Sequence, residues 1–144
     1  MSTPGGHGGT ELAQLLRAMD PVLHDAVHVV VTGPHDLDTR PLQPFATVTE
    51  HEGTTAIIDV ERLADAVALG CTPDDPPPMS LITLRVHSSL LAVGLTAAVA
   101  TALASRGISC NVVAGYFHDH LLVPADRGSD ALDVLRALRD DGRP

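Results

Sequence analysis

An α+β protein is predicted by three features of this 144-residue chain. Stretches with strict apolar/polar alternation are interspersed with stretches whose apolar residues recur every three or four positions, the periods of strand and helix. Hydrophobic residues make up 44% of the chain but aromatics only 2%, so Leu, Val, Ile and Ala must build the core. The length suffices for one good core, or for two small modules that share one.

Residues 1–9, rich in glycine, are expected to form a flexible leader. Thr10 and Glu11 open a short helix whose Leu12, Leu15, Leu16 and Met19 lie on one stripe, and Asp20 with Pro21 ends it. Residues 27–32 are an extended run, followed by a surface loop at 33–44 that holds three prolines. Residues 46–50 and 54–60 form a hairpin about His51, Glu52 and Gly53. A helix from Glu61 to Leu69 stops at Gly70, and the proline-rich residues 71–78 form a stiff linker. This linker divides an N-terminal module, residues 10–70, from a C-terminal module, residues 79–144.

The second module opens with a strand at 80–87 whose alternation predicts one buried face. Leu91, Leu95, Val99 and Leu103 then mark a helix that Gly107 closes with a positive φ. Residues 108–114 form a second strand, 115–120 a turn and 121–124 a short third strand. A last helix carries Ala131, Leu132, Leu135 and Leu138, with Asp126 and Asp130 at its start. Strand, helix, strand, strand, helix is the ferredoxin-like plan without its last strand, which the N-terminal half or a partner would supply.

The net charge of −9, with nine arginines scattered singly and no lysine, leaves no basic footprint for nucleic acid or anionic lipid. No apolar run is long enough to span a membrane and the N-terminus lacks signal-peptide character, so a cytoplasmic protein without a nucleic-acid or membrane partner is expected. Cys71 and Cys110 lack metal or redox spacing, so both are expected to be free, Cys110 within a buried strand. No cofactor is expected.

In the ferredoxin-like plan the first two strands run parallel with the third between them. The end of the first strand and the hairpin after the second then share an edge. His87, Ser88 and Ser89 should therefore face Tyr116, His118 and His120, and the helix that starts there points its unpaired N–H groups into the same space. Ser88 and Ser89 are candidate ligand donors, although a serine ahead of a helix is most often an N-cap, and the two roles are compatible. Gly94 admits either a ligand close to backbone or tight helix–sheet packing. Asn111, unusual in a strand, would hold a ligand carboxylate or a neighbouring loop, and Tyr116 would line a pocket or fill the hairpin. His118 and His120, alternate residues of an extended segment, would with His87 make a partial metal set, but a fourth ligand with characteristic spacing is missing. A serine or cysteine nucleophile lacks both an elbow motif and a residue to orient its base.

Residues 86–96 (VHSSLLAVGLT), 107–116 (GISCNVVAGY) and 118–124 (HDHLLVP) together resemble a bacterial group of small ACT-domain proteins, and the N-terminal half looks like the ACT-like module found ahead of it. The resemblance implies tandem ACT-type modules in a superfamily whose members bind amino acids or other small metabolites between domains. Gly94 and Leu95 match the position where the ACT loop backbone meets its ligand, but Val93 stands where a proline is usual and the usual acidic residue is missing. The implied ligand contacts are His87, Ser88, Ser89, Val93, Gly94 and Leu95, with Asn111 and Val112 on the neighbouring strand and Tyr116, His118 and His120 on the hairpin. The expectation is thus a non-catalytic regulatory protein that binds an amino acid or metabolic carboxylate at a domain or subunit interface, as a homodimer. A metal- or histidine-dependent hydrolase using His87, His118 and His120 is the alternative.

Overall fold

The computed structural model describes residues 7–72, 75–87 and 93–143. Its elements are α1 (His7–Ala18), β1 (Asp20–Gly33), β2 (Ala46–Thr49), β3 (Thr54–Asp59), α2 (Leu63–Ala68), β4 (Met79–Arg85), α3 (Leu95–Ala104), β5 (Asn111–Ala114), β6 (Asp119–Pro124) and α4 (Gly128–Asp141). Short 3₁₀ turns at 40–42, 60–62 and 125–127 precede β2, α2 and α4. Two compact units form: one joins the chain up to His24 with the chain from Ser80 onward, and the other is Asp25–Met79.

In the larger unit the strand order is β1-β4-β6-β5. The third strand of the plan, β6, lies between the first and second, and it pairs antiparallel with β5, Asn111 opposite Leu122 and Ala114 opposite Asp119. The place of the missing last strand, beside β4, is taken by β1, so the N-terminal half supplies it. Leu16 of α1 and Met19 just after it pack with Ile82 and Leu84 of β4, Val99 and Leu103 of α3, Leu121 and Val123 of β6, and Leu135 of α4. Each is at most 1% exposed, and burial of each side chain contributes about 1.5–3 kcal/mol.

The smaller unit orders its strands β2-β3-β1, with Val29 opposite Ile58 and Val31 opposite Ala56. These four residues, Leu42, Ala66 and Cys71 form its core. Between its first two strands, where the plan has a helix, Pro34, Pro41 and Pro44 restrict the chain to loop and one 3₁₀ turn, which still buries Leu42 completely. At the β2–β3 turn Gly53 has φ +156°, and a Cβ there would lie 2.3 Å from the Gly33 carbonyl oxygen.

Several elements differ from expectation. α1 begins at His7, within the stretch expected to be leader, because a docked amphipathic helix extends backwards at one hydrogen bond per residue. β4 is buried on both faces: Ser80 and Thr83 are each 8% exposed, because β4 is an inner strand of its unit and these hydroxyls find partners inside. β5 starts at Asn111 rather than at residue 108; Ile108 instead closes α3, its N–H donating to the Leu103 carbonyl at 3.0 Å. Cys110 therefore lies outside a strand and is half-buried, packed against the core; Cys71 is buried, and both thiols are free. Burial pushes both thiols above their ordinary pKa.

Candidate functional site

β4 ends at Arg85 and delivers Val86 and His87 to one edge of the larger unit. Gly94 caps the start of α3, and its φ of +101° turns the chain into the helix with a geometry that L side chains adopt only with strain. A Cβ at Gly94 would sit 3.1 Å from Leu12 of α1, so the glycine serves close helix packing whatever else approaches it. From the opposite side the β5–β6 hairpin brings His118, whose ring centroid lies 6.2 Å from that of His87. These two rings, Arg85, Val86 and the α1 residues Gln14, Leu15 and Ala18 surround an open cleft of about 570 Å³.

The cleft combines an apolar floor with convergent polar groups, the usual make-up of small-molecule sites. His118 Nδ1 is buried and has no hydrogen-bond partner among the described residues. Arg85 is held by Asp20, which accepts from Nε at 3.0 Å and from Nη2 at 2.5 Å. Behind this pair runs a side-chain chain from β1 to β6. His24 Nε2 lies 2.7 Å from the Thr83 hydroxyl, and that hydroxyl lies 2.9 Å from His120 Nδ1. A hydroxyl carries one proton, so with both rings neutral Thr83 donates to one and accepts from the other. Burial holds His120 below the ordinary imidazole pKa; positive charge on His118 or His24 would lower it further, while Asp119 opposes the shift.

Of the residues expected from the sequence, the fold brings His87 and His118 together; Gly94 caps α3 against Leu12 of α1, and His120 bonds to Thr83. Ser88 and Ser89 lie outside the described residues. Leu95 is buried in the core, whereas Val93 is 87% exposed. Asn111 and Val112 stand exposed on β5, and Tyr116 projects from the hairpin tip at 83% exposure, edge-on to Phe117 with centroids 5.0 Å apart. Among the described residues no three His, Cys, Asp or Glu side chains converge on a point that would hold a metal ion. Sequence reasoning missed His24, Thr83, Arg85 and the α1 residues. Thr83 and Arg85 sit at alternate positions of β4, which read as a solvent face, and nothing local links α1 to an edge formed by residues some seventy positions later.

The fold and this edge define a tandem ACT arrangement, and the chain belongs to the ACT-domain family, whose profiles match residues 7–75 and again 78–137. The chain is 42% identical to a Vibrio cholerae protein of unknown function described as a possible transport protein, over 92% of this chain and 99% of that one, with a TM-score of 0.79. It is similar in fold to the protein Atu0741 of Agrobacterium tumefaciens, at 14% identity over 84% and 89% of the two chains and a TM-score of 0.64. The regulatory subunit of aspartate kinase from Thermus flavus shares the fold at 12% identity, 84% and 96% coverage and a TM-score of 0.59. A comparison with curated proteins found no match. No described helix is long and apolar enough to cross a membrane.

Proposed function

We propose that this chain is a non-catalytic regulatory ACT protein of the cytoplasm that binds a small metabolite, an amino acid or metabolic carboxylate, at the edge where β4 ends, α3 begins and the β5–β6 hairpin returns. The observation that carries the reading is the cleft itself: His87 and His118 supply donors, His118 Nδ1 has no partner among the described residues, and Arg85, whose charge Asp20 balances, lines the same space. A carboxylate would satisfy that set through charge-assisted hydrogen bonds. Family membership and the fold shared with the regulatory subunit of aspartate kinase support the same reading. Binding regulates only where the ligand contacts two arrangements differently, so the ligand is completed at a domain or subunit interface. We retain residues 71–78 as the boundary between the two sequence modules, 10–70 and 79–144, which the two family matches support. The hydrolase alternative has less support, since His120 is engaged by Thr83 and no three potential ligands converge among the described residues.

The test is a thermal-shift series on the full chain against the amino acids and common carboxylates, with and without zinc. A ligand at a hundred times its Kd stabilises by about 2.7 kcal/mol, several degrees in a chain of this size. A saturable, zinc-independent shift that disappears in His118→Ala is expected. His87 is exposed, so His87→Ala should weaken that shift while leaving the ligand-free midpoint in place. Silence from every metabolite, or a response to zinc alone, refutes the reading.

A further inference from the structure

The smaller unit has a cavity of its own, of about 460 Å³, at the end of its sheet where His28 of β1 stands opposite Asp59 of β3. The cleft of the larger unit lies where its first strand ends, whereas this cavity lies where the paired part of β1 begins, so the two are not copies of one site. One wall is the loop that stands in place of the plan's first helix and contributes Leu42, Gln43 and Phe45. The opposite wall is the turn from β3 into α2. Two local preferences are broken here. Gln43 follows the 3₁₀ turn with φ +46° and ψ +55°, left-handed values that glycine or asparagine normally takes. His28, 8% exposed, buries an imidazole among Val27, Val29, Val30 and Val31, and its ring stands edge-on to Phe45 with centroids 6.2 Å apart. Such departures cluster at functional sites.

Charge decides what the cavity suits. Asp59 spends one carboxylate oxygen on the turn, accepting from the Glu61 N–H at 2.9 Å. Its other oxygen and the Glu61 carboxylate have no cationic partner among the described residues. Arg62 lines the same space but reaches instead for Asp65 and for the Gln43 side-chain oxygen, each at 3.5 Å, the outer limit of a hydrogen bond. Two carboxylates thus stand uncompensated opposite a wall that holds Leu42 and the Phe45 ring.

We propose that this cavity binds a small organic cation, an ammonium or guanidinium group on a short alkyl chain. Asp59 and Glu61 take the charged head through charge-assisted hydrogen bonds, and Leu42 and Phe45 take the alkyl part, with the ring adding its attraction for a cation. A bare metal ion is the poorer match: no three His, Cys, Asp or Glu side chains converge among the described residues, and hard cations need several oxygens. The volume falls within the range of small-molecule sites. This inference goes beyond the carboxylate cleft and does not depend on it.

The experiment is isothermal titration calorimetry of the full chain with n-butylammonium, n-butylguanidinium and 1-butanol at constant ionic strength. At least one of the two cations should bind at one site per chain with a Kd below about 1 mM, and the uncharged alcohol should give no saturable heat. Which cation binds more tightly identifies the head group. Asp59→Asn and Glu61→Gln keep the side-chain shapes, and asparagine still caps the turn, so each should weaken binding about tenfold without loss of fold. Asp133→Asn combined with Asp141→Asn removes two charges from exposed α4 and should leave the affinity unchanged, which separates a site from general attraction to a chain of net charge −9. The inference is overturned by the absence of saturable binding for both cations, by an affinity unchanged in Asp59→Asn and Glu61→Gln, or by an equal loss in the α4 variant. His118→Ala should bind the cation as wild type does while losing the carboxylate response, so either reading can fail alone.

Discussion

Replacing Thr83 by Val tests whether the His24–Thr83–His120 chain holds the larger unit together. Thr83 is 8% exposed, and its hydroxyl lies 2.7 Å from one imidazole and 2.9 Å from the other. Valine has nearly the same volume, so no cavity opens and the change isolates the hydroxyl. Two hydrogen bonds worth roughly 0.5–1.5 kcal/mol each set the scale, and exposed His24 recovers part of its loss by turning to water, which leaves about 1–2 kcal/mol. That corresponds to a fall in Tm of roughly 3–8 °C for a chain of this length. Urea and thermal unfolding followed by circular dichroism at pH 7.5 and 5.5 would measure it. The two pH values also read His120. Its folded pKa is depressed below 6.5, so on acidification the unfolded chain takes up the proton first. Its contribution is therefore complete above about pH 6.5 and is lost as the pH falls towards the folded value. Wild type should lose stability across that interval, and His120→Gln should flatten the loss. A Thr83→Val protein as stable as wild type at both pH values would refute the reasoning.

In Gly53→Ala the new Cβ would meet the Gly33 carbonyl oxygen at 2.3 Å with φ at +156°, so a loss of about 2–3 kcal/mol is expected in urea titration; an unchanged midpoint would show that the turn relaxes freely. Leu135→Ala, at a site with no exposure, should cost about 2–5 kcal/mol by the same assay, and a loss below about 1 kcal/mol would mean that α4 does not seal the core. Burial raises the Cys71 and Cys110 pKa values, so at pH 8 both thiols should react at least ~10-fold more slowly in the native chain than in urea. Equal rates in a colorimetric thiol assay would contradict the packing of both.

The elements that the sequence makes legible are those whose signals are local. The stripe of Leu95, Val99 and Leu103 is buried as its spacing requires, and Gly107 takes the positive φ, 66°, that stops the helix. The hairpin about Gly53 appears within a residue of its expected ends. What escapes is allegiance. Leu12, Leu15, Leu16 and Met19 announce that α1 buries a face, but amphipathicity does not say against what, and the face packs with α3 and α4 from the far end of the chain. Alternation in β4 likewise marks Thr83 as polar without showing that two histidines wait to cover it. At the site, topology alone brings His87 to His118, since both are joints of one ferredoxin-like edge. The Arg85 to Asp20 pair spans 65 positions and leaves no trace in either neighbourhood.

The larger unit is interrupted in sequence by the smaller one, and this sets an order of events during synthesis. A ribosome releases α1 first and its packing partners last. All the residues of Asp25–Met79 emerge before β4 is complete, so the smaller unit is free to fold while Leu16 and Met19 still lack the surfaces that bury them. Closing the larger core then means joining two ends of a chain already shortened by a folded insert, at a smaller entropic cost than closing the same loop unfolded. The nascent protein thus has a vulnerable interval, bounded by the emergence of α1 and of α4, in which a bare amphipathic helix is exposed to chaperones and to its neighbours on the polysome.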